Sequence, residues 1–298
     1  MQTLTSCPLC GTNDFTHYIT CTDFTVSKSP FKIVQCKSCG FLFTNPRPDD
    51  NEIGSYYESD EYVSHSNTNK GLINKVYQLV RNYSISQKVK MMNSFGVGNK
   101  SLIDIGCGTG EFLNAMQQNG WQVQGLEPSE RARNYGISNY KLNVQPLDAF
   151  NGLPSKTFGI VTMWHVLEHV HNLHDYARQL KNILTEKGVL IIAVPNAGAH
   201  ESETYKEYWA AYDVPRHLNH FTIETITRLF TTNQMRIEKI MPMPFDAYYI
   251  SMLSEKYKGS GKAGMMINAV INGLKSNAAA SKDPHKASSL VYVIRHEN

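Results

Sequence analysis

Apolar residues in the first 45 positions fall in short clusters broken by turn residues. The first long period begins at Leu72, Val76, Leu79, Val80 and Tyr83, whose helical spacing predicts a helix to about residue 94, closed by Gly96 and Gly98. Beyond residue 100 the pattern changes. Short apolar runs at 101–105, 122–126, 158–163 and 188–194 predict strands. Amphipathic runs at 111–119, 173–184 and 222–232 predict helices between and after them, and 235–241 and 290–295 read as the last two strands. Strands alternating with helices imply a doubly wound α/β fold, Rossmann-like, with helices on both faces of a mainly parallel sheet. Residues 254–288 are polar and rich in Gly, Ala, Ser and Lys, and read as a mobile excursion with room for one helix.

The segment Asn45-Pro46-Arg47-Pro48-Asp49-Asp50 is stiff and polar and marks a boundary. The expected organisation is a small metal-binding module at 1–45, a Tyr-rich linker and helix at 46–95, and an α/β domain at 96–298 with a lid segment at about 197–221. The chain has 298 residues, 41% hydrophobic and 18% charged, which suits one large domain plus a small module. No run of 18 apolar residues occurs, and the first residues lack the basic and apolar regions of a secretory signal. We therefore expect a cytoplasmic protein without membrane insertion. The net charge of +3 is too small and too dispersed to argue for nucleic acid.

Six cysteines are present, four of them in two matched knuckles, Cys7-Pro8-Leu9-Cys10-Gly11 and Cys36-Lys37-Ser38-Cys39-Gly40. Each glycine permits the tight turn that aims two thiolates at one ion. Together Cys7, Cys10, Cys36 and Cys39 offer four soft ligands in a tetrahedron, the donor set of structural zinc. Such a site is closed and does not activate water, so its expected role is to staple a small core. Paired redox cysteines explain two identical knuckles less well.

The strongest motif is Leu102-Ile103-Asp104-Ile105-Gly106-Cys107-Gly108-Thr109-Gly110-Glu111: an apolar strand, three alternating glycines, then a helix. Doubly wound folds bind cofactors at such a junction. A dinucleotide fingerprint would space the glycines G-x-G-x-x-G to seat a pyrophosphate. Here the spacing is G-x-G-x-G and Asp104 precedes it, which suits a cationic amino-acid moiety and disfavours a nicotinamide cofactor.

This Asp-x-Gly-Cys-Gly-Thr-Gly run resembles the first motif of class I S-adenosylmethionine (SAM)-dependent methyltransferases. The resemblance implies a seven-stranded sheet whose last strand is antiparallel, and it extends over residues 98 to 240. It assigns Asp104, Gly106, Cys107, Gly108, Gly110 and Phe112 to the methionine end of SAM. Glu127 and Pro128, ending the second strand, would meet the ribose, and Asp148 and Ala149 the adenine. Trp164 and His165, ending the fourth strand, would border the methionine end. Each later residue has a plainer reading, Glu127 as a surface acid and Asp148 as a helix cap.

A ribbon with Cys-x-x-Cys pairs, a Tyr-rich linker and a methyltransferase, in that order, is similar to a bacterial group. That group includes C-methyltransferases acting on nucleotide-linked deoxyketosugars, which usually carry a further C-terminal domain of substantial size; we do not expect that domain within these 298 residues. In them a Glu-His pair after the fifth strand supplies the base and a His after the fourth strand assists. His217 and His169 match those places, and the linker tyrosines Tyr56 and Tyr57 would help close the pocket. Arg216 stands where the acid is expected, and we read it as a group that orients an anionic acceptor. The expected function is methyl transfer from SAM to a small, anionic molecule, a nucleotide-linked sugar being one candidate. An RNA methyltransferase gripping substrate through the zinc module is an alternative, weakened by a ribbon with only Lys28, Lys32 and Lys37 against Asp14 and Asp23. A non-catalytic SAM-binding protein is another. The oligomeric state and the atom methylated stay open.

Overall fold

The computed structural model describes residues 1–57 and 72–297. The later part of the Tyr-rich linker, residues 58–71, lies outside the described residues. Three strands, β1 (Phe15–Thr22), β2 (Pro30–Cys36) and β3 (Leu42–Thr44), build the N-terminal module. Helix α1 (Leu72–Ser94) leads into the alternation β4 (Ser101–Ile105), α2 (Glu111–Gln118), β5 (Gln122–Leu126), α3 (Glu130–Tyr140), β6 (Val144–Gln145), β7 (Phe158–Trp164), α4 (Leu173–Ile183) and β8 (Leu184–Pro195). Helix α5 (His200–Tyr205), strand β9 (Asn219–His220), α6 (Ile223–Thr232), β10 (Met235–Pro242), α7 (Asp246–Tyr257), α8 (Lys262–Lys282) and β11 (Ser289–His296) complete it.

The main sheet has the order β10-β11-β8-β7-β4-β5-β6. Strand β11 runs antiparallel to both β10 and β8, while the β4, β5, β6, β7 and β8 pairings are parallel. This is the expected seven-stranded sheet with its last strand reversed. The central strands are buried on both faces, as all five residues of β4 show, because helices cover each side. Strand order reverses between β4 and β7, β5 and β6 being added on one side and β7 and β8 on the other, so their C-terminal ends open the crevice where such sheets bind ligands.

The module joins the rest of the chain by hydrogen bonds. Strand β9, from the lid segment, pairs with β3 and makes a second sheet of order β1-β2-β3-β9. Cys7, Leu9, Cys36, Phe41 and Phe43 are continuous with the core on one face of the main sheet. Residues 197–221 therefore lie between the two sheets, tied to β3 of the N-terminal module through β9 and to the turn after β7 through the Leu218 N–H on the Glu168 carbonyl.

The expectation for residues 254–288 needs correction. Helices α7 and α8 fill most of this stretch and pack against one another. Small residues make that contact: a Cβ at Gly273 would lie 2.4 Å from the Tyr248 ring.

Candidate functional site

The two knuckles fold alike. In each, the glycine N–H donates to the carbonyl of the first cysteine, Gly11 to Cys7 and Gly40 to Cys36, both at 2.9 Å. Gly11 and Gly40 have φ of 77° and 74°, the left-handed turn that glycine adopts without a Cβ clash. The sulfurs converge, with Cys7–Cys39 at 3.7 Å and Cys10–Cys36 at 3.5 Å, and all four lie within 4.8 Å of one another. A zinc ion with four Zn–S bonds sets its sulfurs about 3.8 Å apart, so the donor set fits zinc nearly as it stands. The Thr12 hydroxyl, 3.1 Å from Cys10 Sγ and 3.2 Å from Cys36 Sγ, would support the thiolates. Elemental analysis of protein purified without chelators should give about one zinc per chain. Cys36→Ser should lose it and lower the melting temperature, because the knuckles belong to the core. A metal-free protein that melts like the variant overturns this reading.

At the end of β4, Gly106, Gly108 and Gly110 all have positive φ. A Cβ at Gly106 would strike Val166 Cγ2 at 2.4 Å and one at Gly110 would strike Leu142 Cδ1 at 2.5 Å, whereas one at Gly108 meets nothing within 4 Å. The open side of the turn is thus at Gly108. The N–H groups of Gly106 and Cys107 both donate to the Leu126 carbonyl, Gly110 N–H donates to the Cys107 carbonyl, and Gly108 N–H donates to Glu127 Oε2. A pyrophosphate needs such N–H groups free, and this turn has spent them.

Two carboxylates close the crevice. Asp104 is buried and faces Thr162 across the β4–β7 register, so that the Thr162 hydroxyl donates to Asp104 Oδ1 at 2.6 Å. Burial pushes the Asp104 carboxyl up to about 7, with Thr162 and Lys88 holding it back. Glu127 accepts from Gly108 N–H and Ser129 N–H, and burial raises its carboxyl as well. Lys88 of α1 reaches this place, its Nζ 3.7 Å from the centre of the Trp164 ring and 5.9 Å from that of Phe112. Burial brings its amine down to about 8 despite Asp104 and Asp246. Trp164 Nε1 is buried without a hydrogen-bond partner. An orphaned indole donor, an open glycine and two buried carboxylates suit a ligand with both an amino-acid end and hydroxyls, as SAM has. Cys107 packs its sulfur toward Gly125 and Pro128 follows Glu127, its carbonyl bonded by Arg133. Asp148 and Ala149 sit in the single turn 147–152, Asp148 exposed and Ala149 against the core.

Beyond β7 the chain turns at His165, which has φ of 56°. His165 lies between two acids, Nε2 3.1 Å from Asp246 Oδ2 and Nδ1 3.5 Å from Glu168 Oε1. Burial works against its charge, but these two acids outweigh burial and raise its imidazole to about 10. The short turn 167–169 then presents Glu168 and His169 to residues 216–218. The Leu218 N–H donates to the Glu168 carbonyl, which brings the lid alongside.

In this way His169, His217, Glu168 and Tyr57 meet. His217 Nδ1 lies 2.8 Å from the Ala211 carbonyl and His169 Nδ1 lies 2.9 Å from the Arg216 carbonyl. A carbonyl only accepts, so both rings carry their proton on Nδ1 and leave Nε2 as the basic nitrogen. His169 Nδ1 is also 2.9 Å from the Tyr57 hydroxyl. Burial and the neighbouring His217 bring the His169 imidazole down to about 4. His217 Nε2 stands 4.0 Å from both Glu168 Oε1 and Asp213 Oδ2. Glu168 is 1% exposed and neither of its side-chain oxygens has a hydrogen-bond partner. Its carboxyl is nonetheless held below the usual range, burial being outweighed by the three histidines around it.

Arg216 requires correction. Its guanidinium is buried and engaged: Nε and one terminal nitrogen bind Asp213, the same nitrogen reaches Asp23 and Thr25, and the other donates to the Tyr56 carbonyl. It ties the lid to the N-terminal module and is not placed to meet an anionic acceptor. Two residues of the site, Glu168 and Lys88, carry no motif of their own. The signal for Glu168 is its place between apolar neighbours, Leu167 and Val170, with His165 and His169 on either side. Three nearby histidines have ordinary partners. His171 meets the Pro48 carbonyl, His174 the Leu9 carbonyl, and His220 the Thr44 hydroxyl.

A methyltransferase domain family matches residues 77–240. The ubiquinone biosynthesis O-methyltransferase of Glaesserella parasuis is 34% identical over 116 residues, covering 35% of this chain and 49% of that protein. Its namesake from Rickettsia bellii is 24% identical over 148 residues, covering 47% and 61%. The chain spans about half the length of the curated relatives it matches. Among solved structures, geranyl diphosphate C-methyltransferase from Streptomyces coelicolor aligns with a TM-score of 0.52 at 13% identity, covering 80% of this chain and 86% of that one. A SAM-dependent methyltransferase from Archaeoglobus fulgidus aligns with a TM-score of 0.50 at 18% identity, covering 72% and 94%. These likenesses carry the fold. With more than half of its length matched by the family and the glycine turn in place at the end of β4, the chain belongs to the class I SAM-dependent methyltransferases.

Proposed function

We propose that this protein transfers the methyl group of SAM to a small molecule whose attacking atom carries an ionisable proton. One observation carries the reading: His217, its Nδ1 held by the Ala211 carbonyl, sets its Nε2 4.0 Å from the buried Glu168, with His169 packed against it, beside the crevice that fits SAM. Methyl transfer from a sulfonium is an in-line displacement, and its main need is an acceptor atom held close and aligned. SAM supplies the methyl group and the sulfonium leaving group. The chain supplies position and a place for the acceptor's proton.

In this reading His217 takes the proton at Nε2. The imidazolium so formed stands between Glu168 and Asp213, while its Nδ1–H stays on the Ala211 carbonyl. Sequence expectation placed the acid next to the base, where Arg216 is found; Glu168 supplies it from the turn after β7. His169 and Tyr57 line the other side, and the tyrosine hydroxyl is in place to orient the acceptor. A hydroxyl acceptor agrees with the names of the O-methyltransferase relatives. A carbon acid on a sugar agrees with the order of ribbon, linker and methyltransferase. Arg216 no longer supports an anionic group on either. Asp104 would face the amino-acid end of SAM, Glu127 the ribose and Asp148 the adenine. The division into 1–45, 46–95 and 96–298 belongs to the same proposal, in which residues 197–221 act as the lid.

The cofactor half of the proposal has a pH signature. Asp104, near 7 when buried beside a lysine, must be ionised to receive the cofactor's ammonium. Raising the pH through 7 therefore favours binding, and SAM affinity should fall about tenfold from pH 8 to pH 6. Calorimetry over that range measures it, and Asp104→Asn should bind weakly at both ends. Binding of NADH without SAM, or SAM affinity independent of pH with Asp104→Asn unchanged, contradicts the assignment.

A further inference from the structure

Helix α8 packs the wrong way round for a helix facing water. At 100° per residue, Ala269, Gly273 and Ser276 fall on one side, and these are its buried residues. Ile267, Val270, Ile271 and Leu274 fall on the opposite side, between 44% and 60% exposed. An ordinary surface helix buries its large aliphatic stripe and shows polar groups to solvent. Here the small residues face in and the branched aliphatics face out, at the i, i+3, i+4, i+7 spacing of a single stripe.

The inner face is well occupied. Ser276 donates to Glu201 at 2.6 Å and Asn272 donates to the Tyr205 hydroxyl at 2.7 Å, so α8 holds the lid helix α5. Asn268 donates to Glu255 of α7 at 3.0 Å. The outward stripe is therefore not an accident of a loosely attached helix.

Charge identifies what covers it. Residues 256–286 contain Lys256, Lys258, Lys262, Lys275, Lys282 and Lys286 against Asp283 alone. This stretch carries a net charge of +5, while the whole chain carries +3, so the rest of the molecule is net negative. Lys275 and Lys282 flank the stripe on one side and both are exposed. Two copies paired through this face would set lysine against lysine with no acid on α8 to offset them. An anionic lipid surface satisfies both features at once: the aliphatics enter the headgroup boundary and the lysines reach out to phosphates. No described helix is long and apolar enough to cross a membrane, so α8 would lie on the surface rather than span it.

We infer that the outer face of α8 docks this protein on an anionic lipid bilayer. Because the inner face of the same helix holds α5, docking would set the lid beside the bilayer. The inference does not rest on the methyltransferase reading.

The full chain should co-sediment with phosphatidylglycerol-rich vesicles. Vesicles of phosphatidylcholine alone, or high salt, should weaken binding at least about tenfold, because the lysine contribution is screened. The double variant Ile267→Asp with Leu274→Asp should lose at least about tenfold in vesicle affinity, and Lys275→Gln and Lys282→Gln about fivefold each. All four positions are exposed, so melting temperature and SAM binding by calorimetry should be unchanged, which separates a failure here from a failure of the methyltransferase assignment. Absence of binding to anionic vesicles overturns the inference, as does wild-type binding by the double variant. A dimer in light scattering that the double variant breaks, with no vesicle binding by either, assigns the face to a second copy and overturns it too.

Discussion

His217→Asn should lower turnover by roughly 10²–10⁴, the usual share of a general base, with SAM affinity nearly unchanged. Asparagine is the informative replacement because its side-chain amide can keep donating to the Ala211 carbonyl, now held by Nδ1 at 2.8 Å. The lid then keeps its anchor and only the basic Nε2 is lost. Glu168→Gln tests the partner. It removes the carboxylate 4.0 Å from Nε2 while its backbone carbonyl still receives the Leu218 N–H. Turnover should fall here too, by less than in the histidine variant, since Asp213 Oδ2 stands at the same distance from Nε2. The measurement is single-turnover methylation once an acceptor is identified, with calorimetry of SAM as the control. Turnover near wild type in His217→Asn would assign His217 to structure, and would mean that the acceptor arrives already ionised.

The parts of this site that were legible in the sequence are those set by local physics. An apolar five-residue strand, three glycines at alternate positions and an amphipathic helix specify their turn almost alone, and β4 and α2 fall where the periodicity puts them. The knuckles are legible for the same reason, since two Cys-x-x-Cys-Gly runs define two identical turns. What was not legible depends on distant partners. Arg216 looked free because Asp23, which claims its guanidinium, lies 193 residues away. Glu168 looked like one acid among several until the lid brought His217 beside it. Strands β1 and β2 were missed because threonines and a turn around residues 23–29 interrupt their apolar pattern. In α8 the period was present at Ile267, Val270, Ile271 and Leu274, but the Gly, Ala, Ser and Lys of residues 254–288 weighed the composition toward a loop. Those small residues are what allow α8 to approach α7.

Arg216→Met should cost about 3–5 kcal/mol of stability, the range for stripping one partner from a buried ion pair. In a chain of this size that is of order 10 °C in melting temperature. The guanidinium is 1% exposed and stands between Asp213 and Asp23, which is also fully buried. Removing it leaves two carboxylates without their cation, although Asp23 keeps N–H donors from Thr25, Val26 and Ser27. Burial alone would raise both acids. For Asp213 the bonds to Arg216 outweigh it, and for Asp23 the loop N–H groups and then Arg216 do, so both carboxyls are held below the usual value. Groups of this kind stabilise the fold above their unfolded pKa, near 4, and lose that contribution as pH falls through the lower folded value. The deficit of the variant should therefore be full at neutral pH and shrink as the orphaned carboxylates take up protons in mild acid. Thermal melts of both proteins between pH 7 and pH 4 read it directly. An arginine that binds an anionic acceptor predicts the opposite: a raised KM with the melting temperature unmoved. That outcome would return Arg216 to the substrate and take the strut between lid and module away.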